Sequence, residues 1–309
     1  MIIKSHRKKI LSIIFLTVFI DMLGIGLLVP VFPMLIVPLS PFRITPISWS
    51  IQDGFVMAGW LMAAYPLAQF ICTPILGQLA DKYGRRNILG LSISGTFVSY
   101  LLFALAIVSR NIPLLFFARI LDGCSGGNIS VAQAVIGDIS DPKDRAKNFG
   151  LIGVALGLGF VCGPFLGGKL SDSTVLNWFS ISTPFIFAAA LSLINILLII
   201  FILPETLNIS INQRINLTRP LHNIVKAFRP GELRNILPAI FMFNAGFTFF
   251  TTFWGIILAN KYGFNQGRIG NFFAYMGIMI ILAQGLVVRK LSGRVRDYSV
   301  IRYSILGTG

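Results

Sequence analysis

Gly77-Gln78-Leu79-Ala80-Asp81-Lys82-Tyr83-Gly84-Arg85-Arg86-Asn87-Ile88-Leu89 is a short charged break between two long apolar runs, 55–79 before it and 88–109 after it. Each run is about as long as the 20 or so apolar residues that carry a helix across a bilayer. The break holds Asp81, Lys82, Arg85 and Arg86 within six positions, a density that cannot sit in hydrocarbon. Gly84 permits the tight turn the two runs require. The stretch therefore reads as the connector of a membrane hairpin.

The rest of the chain repeats this pattern. Runs of membrane length lie at roughly 10–36, 55–79, 88–109, 112–137, 147–170, 181–203, 235–259 and 268–288, with a ninth opening near Ser299. Of the 309 residues 55% are hydrophobic and only 12% charged, and mean hydropathy is +0.80. Soluble domains carry about 25% charged residues. A chain this apolar lacks the polar surface to face water, but it can face lipid.

Lysine and arginine alternate by connector. The N-terminus and the connectors after the second, fourth, sixth and eighth runs hold 20 of the 26 basic residues, and the connectors on the other side hold five. The remaining one, Arg119, lies inside the fourth run. This split places the N-terminus in the cytoplasm. It also assigns the net charge of +15 to membrane orientation and not to nucleic-acid binding. The first run is too long for a cleaved signal peptide and no small-residue cleavage site follows it, so it is a retained helix. His6 and His222 lie in basic connectors. Cys72, Cys124 and Cys162 lie in separate apolar runs without disulfide-framework or metal-ligand spacing, and read as small buried residues. There is no phosphate-binding glycine loop and no cluster of metal ligands, so neither an ATP-driven pump, an enzyme, a metal nor a cofactor is indicated. A long connector with Pro204, Pro220 and Pro230 divides the chain into 1–203 with six helices, a cytoplasmic linker 204–234, and a segment 235–309.

Four motifs carry a resemblance. Gly77 to Leu89 resembles the loop signature of the major facilitator superfamily, with Gly77, Asp81, Gly84, Arg85 and Arg86 in register. Gly159-Phe160-Val161-Cys162-Gly163-Pro164-Phe165-Leu166-Gly167-Gly168 is similar to that superfamily's antiporter motif. Its Gly159, Gly163 and Gly167 recur every four residues and share a helix face that a second backbone can approach. Pro164 removes a backbone donor and favours a bend. Asp21-Met22-Leu23-Gly24-Ile25-Gly26-Leu27-Leu28-Val29-Pro30-Val31-Phe32-Pro33 resembles a helix-one pattern of drug–proton antiporters. Arg119-Ile120-Leu121-Asp122-Gly123 resembles the superfamily's R-x-x-x-G pattern, and the stretch from Gly126 through Asn128 and Gln133 to Ala134, with Asp138 and Arg145 after it, is similar to the tetracycline-resistance-like branch, as is Pro204-Glu205-Thr206-Leu207 at the close of helix six.

The resemblance implies an all-α polytopic membrane protein with a complete N-terminal six-helix bundle and an incomplete C-terminal bundle, about eight or nine of twelve helices. It implies a multi-pass protein of the inner membrane, acting as a monomer on small-molecule substrates and protons, with a proton gradient and no cofactor. Proton-coupled export of amphipathic drugs by alternating access is the leading expectation. A non-transporting remnant of such a transporter and a metabolite uptake facilitator are the alternatives.

Asp21 lies about eleven residues into helix one, and Arg119 and Asp122 lie seven to ten residues into helix four. At about 1.5 Å per residue all three reach mid-membrane. They are expected to form a proton-responsive cluster in which Asp21 holds Arg119 until protonated; a permanent ion pair fixing helix packing is the other reading. Arg85 is expected to meet Asp138 in a cytoplasmic latch, or to be a solvated rim charge. The resemblance gives Asp81 a partner in an eleventh helix. Gln69, Asn128, Gln133, Phe247, Trp254 and Gln284 are candidates for an apolar substrate pocket with a few polar groups; lipid-facing aromatics and helix–helix hydrogen bonds are the competing reading.

Overall fold

A computed structural model describes residues 2–37, 40–207 and 236–282. Among the described residues all regular structure is helical: α1 (Ile2–Ile36), α2 (Ile51–Tyr83), α3 (Arg85–Val108), α4 (Ile112–Ser125), α5 (Asn128–Ile139), α6 (Arg145–Leu170), α7 (Thr183–Ile202), α8 (Ile236–Tyr262) and α9 (Gln266–Leu282). Six of these are long and apolar enough to cross a membrane. Large apolar side chains such as Trp60, Phe70, Leu105, Phe117 and Phe201 stand exposed on their outer faces. In water such a surface would aggregate; in lipid it is the solvent-facing side.

Local chemistry sets the helix ends. Ser50 caps α2: its Oγ accepts from the Asp53 amide at 3.2 Å, and Asp53 Oδ2 accepts from the Ser50 amide at 2.9 Å. This reciprocal box starts α2 four residues before its apolar run. Asn111 caps α4 by accepting from the Leu114 amide at 2.9 Å.

The expected fourth run, 112–137, is not one helix. It breaks at Gly126-Gly127 into α4 and α5. The break falls where α2 crosses: a Cβ on Gly127 would lie 2.8 Å from Leu76 Cδ1 and 2.9 Å from the Thr73 Cα. Two adjacent glycines, with weak helix propensity, admit that crossing and the local loss of regularity. The connector 208–234 and the ninth run near Ser299 lie outside the described residues, as does the end of the run 268–288 beyond Leu282.

α1 is the central element and packs along α6, with α7 and α5 beside it. α3 lies against α4 and α7, and α2 against α4. The interior divides into two apolar clusters. One contains Leu23, Leu27, Phe32, Leu61, Phe103, Leu115 and Phe185. The other contains Ile10, Ile14, Val18, Leu89, Ile93, Val135 and Ile199. Between them the same helices bury polar side chains.

Candidate functional site

Four strands of the sequence contribute to that polar layer, each by helical spacing. α1 supplies Thr17 and Asp21, one turn apart. α3 supplies Ser92, Thr96 and Ser99 at i, i+4 and i+7. The α4–α5 pair supplies Arg119, Asp122, Ser125 and Asn128 at steps of three, and α7 supplies Ser192 and Asn195. All are buried. Such positions share a face, so five helices contribute to one buried polar band in the bundle.

The charged groups lie at its centre. Asp21 and Arg119 are each 4% exposed and Asp122 is 6% exposed, so none is solvated at the surface. Arg119 Nη1 lies 3.4 Å from Asp122 Oδ2, and Ser99 Oγ donates to Asp122 Oδ1 at 3.2 Å. The Arg119 guanidinium lies over the Tyr65 ring, 4.8 Å from its centroid, a favourable cation–π arrangement. Gln69 Nε2 donates to the Tyr65 hydroxyl at 3.2 Å and to the Gly126 carbonyl at 2.8 Å. Tyr100 comes against α1 at Gly24, where a Cβ would run into its hydroxyl.

Asp21 differs from the expectation. Arg119 is held by Asp122, and no ion pair joins it to Asp21 among the described residues. Two residues i and i+3 on one helix meet without any tertiary adjustment, which gives Asp122 the shorter route to the guanidinium. Asn128 comes up beside Asp21, and among the described residues Asp21 Oδ2 and both polar atoms of the Asn128 amide have no hydrogen-bond partner. Arg119 Nε and Thr96 Oγ1 are likewise unpartnered. The centre of the layer thus holds one guanidinium, one paired carboxylate and one unpaired carboxylate.

One end of the bundle holds the charged rim. Arg85 Nη1 lies 2.9 Å from Asp81 Oδ1 and its Nε lies 3.0 Å from Asp138 Oδ2, so Arg85 bridges α2 and α5. Glu205, just past α7, accepts from the Arg85 amide at 2.9 Å and the Arg86 amide at 3.2 Å. Its carboxylate caps the N-terminus of α3, where free amides and the helix dipole favour an anion. Gly84 makes room for it, with φ of 96° and a Cβ position that the Glu205 carboxylate already occupies. The Arg86 guanidinium donates to the Ile200 carbonyl. Arg7 lies 3.2 Å from Asp141 and 3.0 Å from Asp144, tying the start of α1 to the turn before α6. Gly77 lies over Ser130 of α5, an ordinary contact with space to spare.

The glycines of α6 form the closest seam in the bundle. A Cβ on Gly163 would lie 2.7 Å from the Gly26 Cα and 2.8 Å from the Leu23 carbonyl. Gly159 sits as closely on Met22, and Gly167 on Leu27. Gly168 faces the other way, onto Gln266 and Gly270 of α9, and the Pro164 carbonyl meets Gly270. α6 is therefore clasped between α1 and α9, backbone close to backbone at these glycines, with the Val161 side chain seated at Gly277 further along α9.

The five candidate pocket residues that lie among the described residues, Gln69, Asn128, Gln133, Phe247 and Trp254, do not line one cavity together there. Gln69 spends its amide on Tyr65 and Gly126. Asn128 is fully buried in the polar layer, and Gln133 is exposed. Phe247 stands 6.0 Å from Phe160, ring to ring, Trp254 stacks on Phe250, and Gln284 lies outside the described residues. The cleft that does form between α2 and α8 has a volume of 500 Å³ and is lined by Met62, Pro66, Phe241, Asn244, Thr248 and Phe253, among others. Sequence reading missed Glu205 as a cap and missed Thr96, Ser99 and Asn195 as members of the layer. The stripe Ser92, Thr96, Ser99 within an apolar run was the available signal. Glu205 gave none, because its partner amides lie 120 and 119 residues away.

The sequence pattern that describes the Major Facilitator Superfamily matches residues 14–309. The chain is 33% identical to the class C tetracycline resistance protein of Escherichia coli, covering 96% of this chain and 70% of that protein. It is 28% identical to multidrug resistance protein 2 of Bacillus subtilis, with coverages of 98% and 71%. In three dimensions it is similar to the human organic anion transporter MFSD10 (TETRAN), with a TM-score of 0.67 and 25% identity over 92% of this chain and 72% of that one. It shares its fold with a D-xylose–proton symporter at a TM-score of 0.65 and 14% identity, over 93% of this chain and 69% of that one.

Proposed function

The chain belongs to the Major Facilitator Superfamily of membrane transporters, and on that premise we propose that it exports small amphipathic molecules across the cytoplasmic membrane in exchange for protons. The observation that carries this reading is the charge count of the buried layer among the described residues: two carboxylates, Asp21 and Asp122, and one guanidinium, Arg119. With both acids ionised the layer carries a net charge of −1, and with one protonated it is neutral. Inside a membrane the neutral form is strongly favoured. Asp122 already has Arg119 and Ser99, so the proton belongs on Asp21, the carboxylate without a counter-charge.

A carboxylate that must take a proton to stay buried, and release it to face water, couples proton movement to a change of access. Alternating access moves one bundle against the other about a midplane site, and the layer lies at that height in α1 and α4. The rim formed by Arg85, Asp81, Asp138 and Glu205 holds one of the two conformations closed. The cleft between α2 and α8 supports an amphipathic substrate: its walls are aromatic and aliphatic, with Asn244, Thr248 and Thr252 as the polar groups. Similarity to tetracycline and multidrug resistance proteins supports export over uptake.

The test uses everted membrane vesicles carrying the full chain, acidified inside and loaded with a pH-sensitive dye. Addition of a tetracycline, a cationic dye or a quaternary ammonium compound should release protons from wild-type vesicles as the compound accumulates. Asp21→Asn should abolish both movements, and Asp21→Glu should keep part of each. Uphill accumulation by Asp21→Asn, proton and compound moving in the same direction, or no response of the wild type to any of the three compounds would overturn the proposal.

A further inference from the structure

From the sequence Cys72 and Cys124 are unrelated residues, 52 positions apart in different apolar runs. The fold brings them together: their Sγ atoms are 2.7 Å apart across the α2–α4 contact, both as free thiols and both half-buried. This is closer than two non-bonded sulfurs settle, and a small adjustment of side-chain torsions reaches a disulfide of about 2.05 Å.

The approach does not depend on the thiols themselves. Gln69 Nε2 of α2 donates to the Gly126 carbonyl at 2.8 Å, one turn from the pair. Gly127 sits directly on Thr73 and Leu76, where a Cβ would meet the Thr73 Cα at 2.9 Å. Gly123 meets Ala68, with 2.9 Å between a Cβ there and the Ala68 Cβ. Helix contacts on either side of Cys72 and Cys124 therefore hold the two backbones close together at this point.

The surroundings favour an apolar reactant. Cys124 follows Phe117 and Ile120 at i+7 and i+4, and these are 56% and 46% exposed; Ile71, beside Cys72, is 63% exposed. The pair thus opens onto an apolar outer surface at the height of the polar layer. Polar cytosolic thiols that keep cysteines reduced have poor access there, and a lipid-dissolved oxidant has good access.

We propose that Cys72 and Cys124 form a reversible disulfide that staples α2 to α4 within the membrane, with a membrane quinone as oxidant. Both S–H bonds break and one S–S bond forms. Two protons and two electrons pass to the quinone, which leaves as the quinol, and a dithiol reductant reverses the step. Because Cys124 lies two residues beyond Asp122, the staple fixes the stretch of α4 that carries the buried ion pair.

The test treats membrane vesicles containing the full chain with a short-chain benzoquinone substituted at every ring position, so that it oxidises thiols without alkylating them. The protein is then denatured and its thiols are counted with a mass-tagged maleimide. The three cysteines should accept three tags before oxidation, one tag after it at Cys162, and three again after dithiothreitol. Cys72→Ser and Cys124→Ser should each keep two tags with or without quinone. Three tags surviving on oxidised wild type, or a linkage mapped to Cys162 or between chains, would overturn the proposal. Oxidation should also raise the unfolding temperature of the detergent-purified wild type and leave that of Cys72→Ser unmoved; a disulfide that forms without such a rise would refute the staple.

Discussion

Asp21→Asn and Asp122→Asn make the same change, carboxyl to amide, in the same buried layer, yet their effects on stability should differ. Asp122 is the counter-charge of Arg119. Losing it leaves a guanidinium buried without a partner, a change that costs about 3–5 kcal/mol. Among the described residues Asp21 has an unpartnered oxygen and no ion pair, so its amide analogue replaces an uncompensated group and should leave stability within about 1 kcal/mol. Unfolding of the two variants in detergent, followed by heat or denaturant, checks this; equal losses would mean that Arg119 is shared between both acids. The sequence made these three charges conspicuous, because any ionisable residue in an apolar run stands out. It did not say which acid takes the arginine. That choice turns on how α1 rotates against α4, and rotation is set by packing partners many residues away. Asn128 was legible as a polar residue in a helix, but its place next to Asp21 depends on the break at Gly126-Gly127.

Helix contacts are where a single methyl group should matter most. Gly163→Ala would put a Cβ 2.7 Å from the Gly26 Cα, backbone that cannot swing aside. Overpacking of this kind costs about 1–3 kcal/mol. Gly157 lies on the same helix with no described residue within 4 Å of its Cβ position, so Gly157→Ala should be neutral or stabilising by up to about 1 kcal/mol. Thermal unfolding of the pair separates close approach from helix propensity. The four-residue glycine period announced this face in the sequence; its partner, α1, could not be read there. Glu205→Ala should cost about 0.5–2 kcal/mol, the usual range for a lost cap, and should speed hydrogen exchange at the Arg85 and Arg86 amides, measured by mass spectrometry on peptides from the start of α3. Unchanged exchange there would show that the cap is dispensable.

On the scale of the whole molecule, the alternating basic connectors predicted two ends, and the contacts sort accordingly. Arg7, the 81–86 turn, the 138–144 turn and Glu205 meet at one end, and Ser171 meets Gln266 at the other. With the native cysteines replaced by serine, Ile47→Cys, 93% exposed in its parent residue, should react with an impermeant maleimide applied to intact cells. Lys143→Cys should react only after permeabilisation. Labelling of both from the same side would end the topology. Among the described residues the helices and their order were plain from hydropathy, except where the fourth run breaks, since hydropathy is blind to a crossing neighbour. The contact of α6 with α9 has a mechanical corollary. Smooth glycine surfaces lack the ridges and grooves that lock two helices in register, so Gly168 and Gly270 offer little resistance to sliding. Gln266 fastens the same pair at one extremity, donating to the Ser171 carbonyl at 3.1 Å. A rod fastened at its tip and keyed only lightly beyond it, where Val161 seats at Gly277, swings about the tip, which makes the Ser171–Gln266 bond the natural fulcrum for any rocking of α9 against the amino-terminal helices.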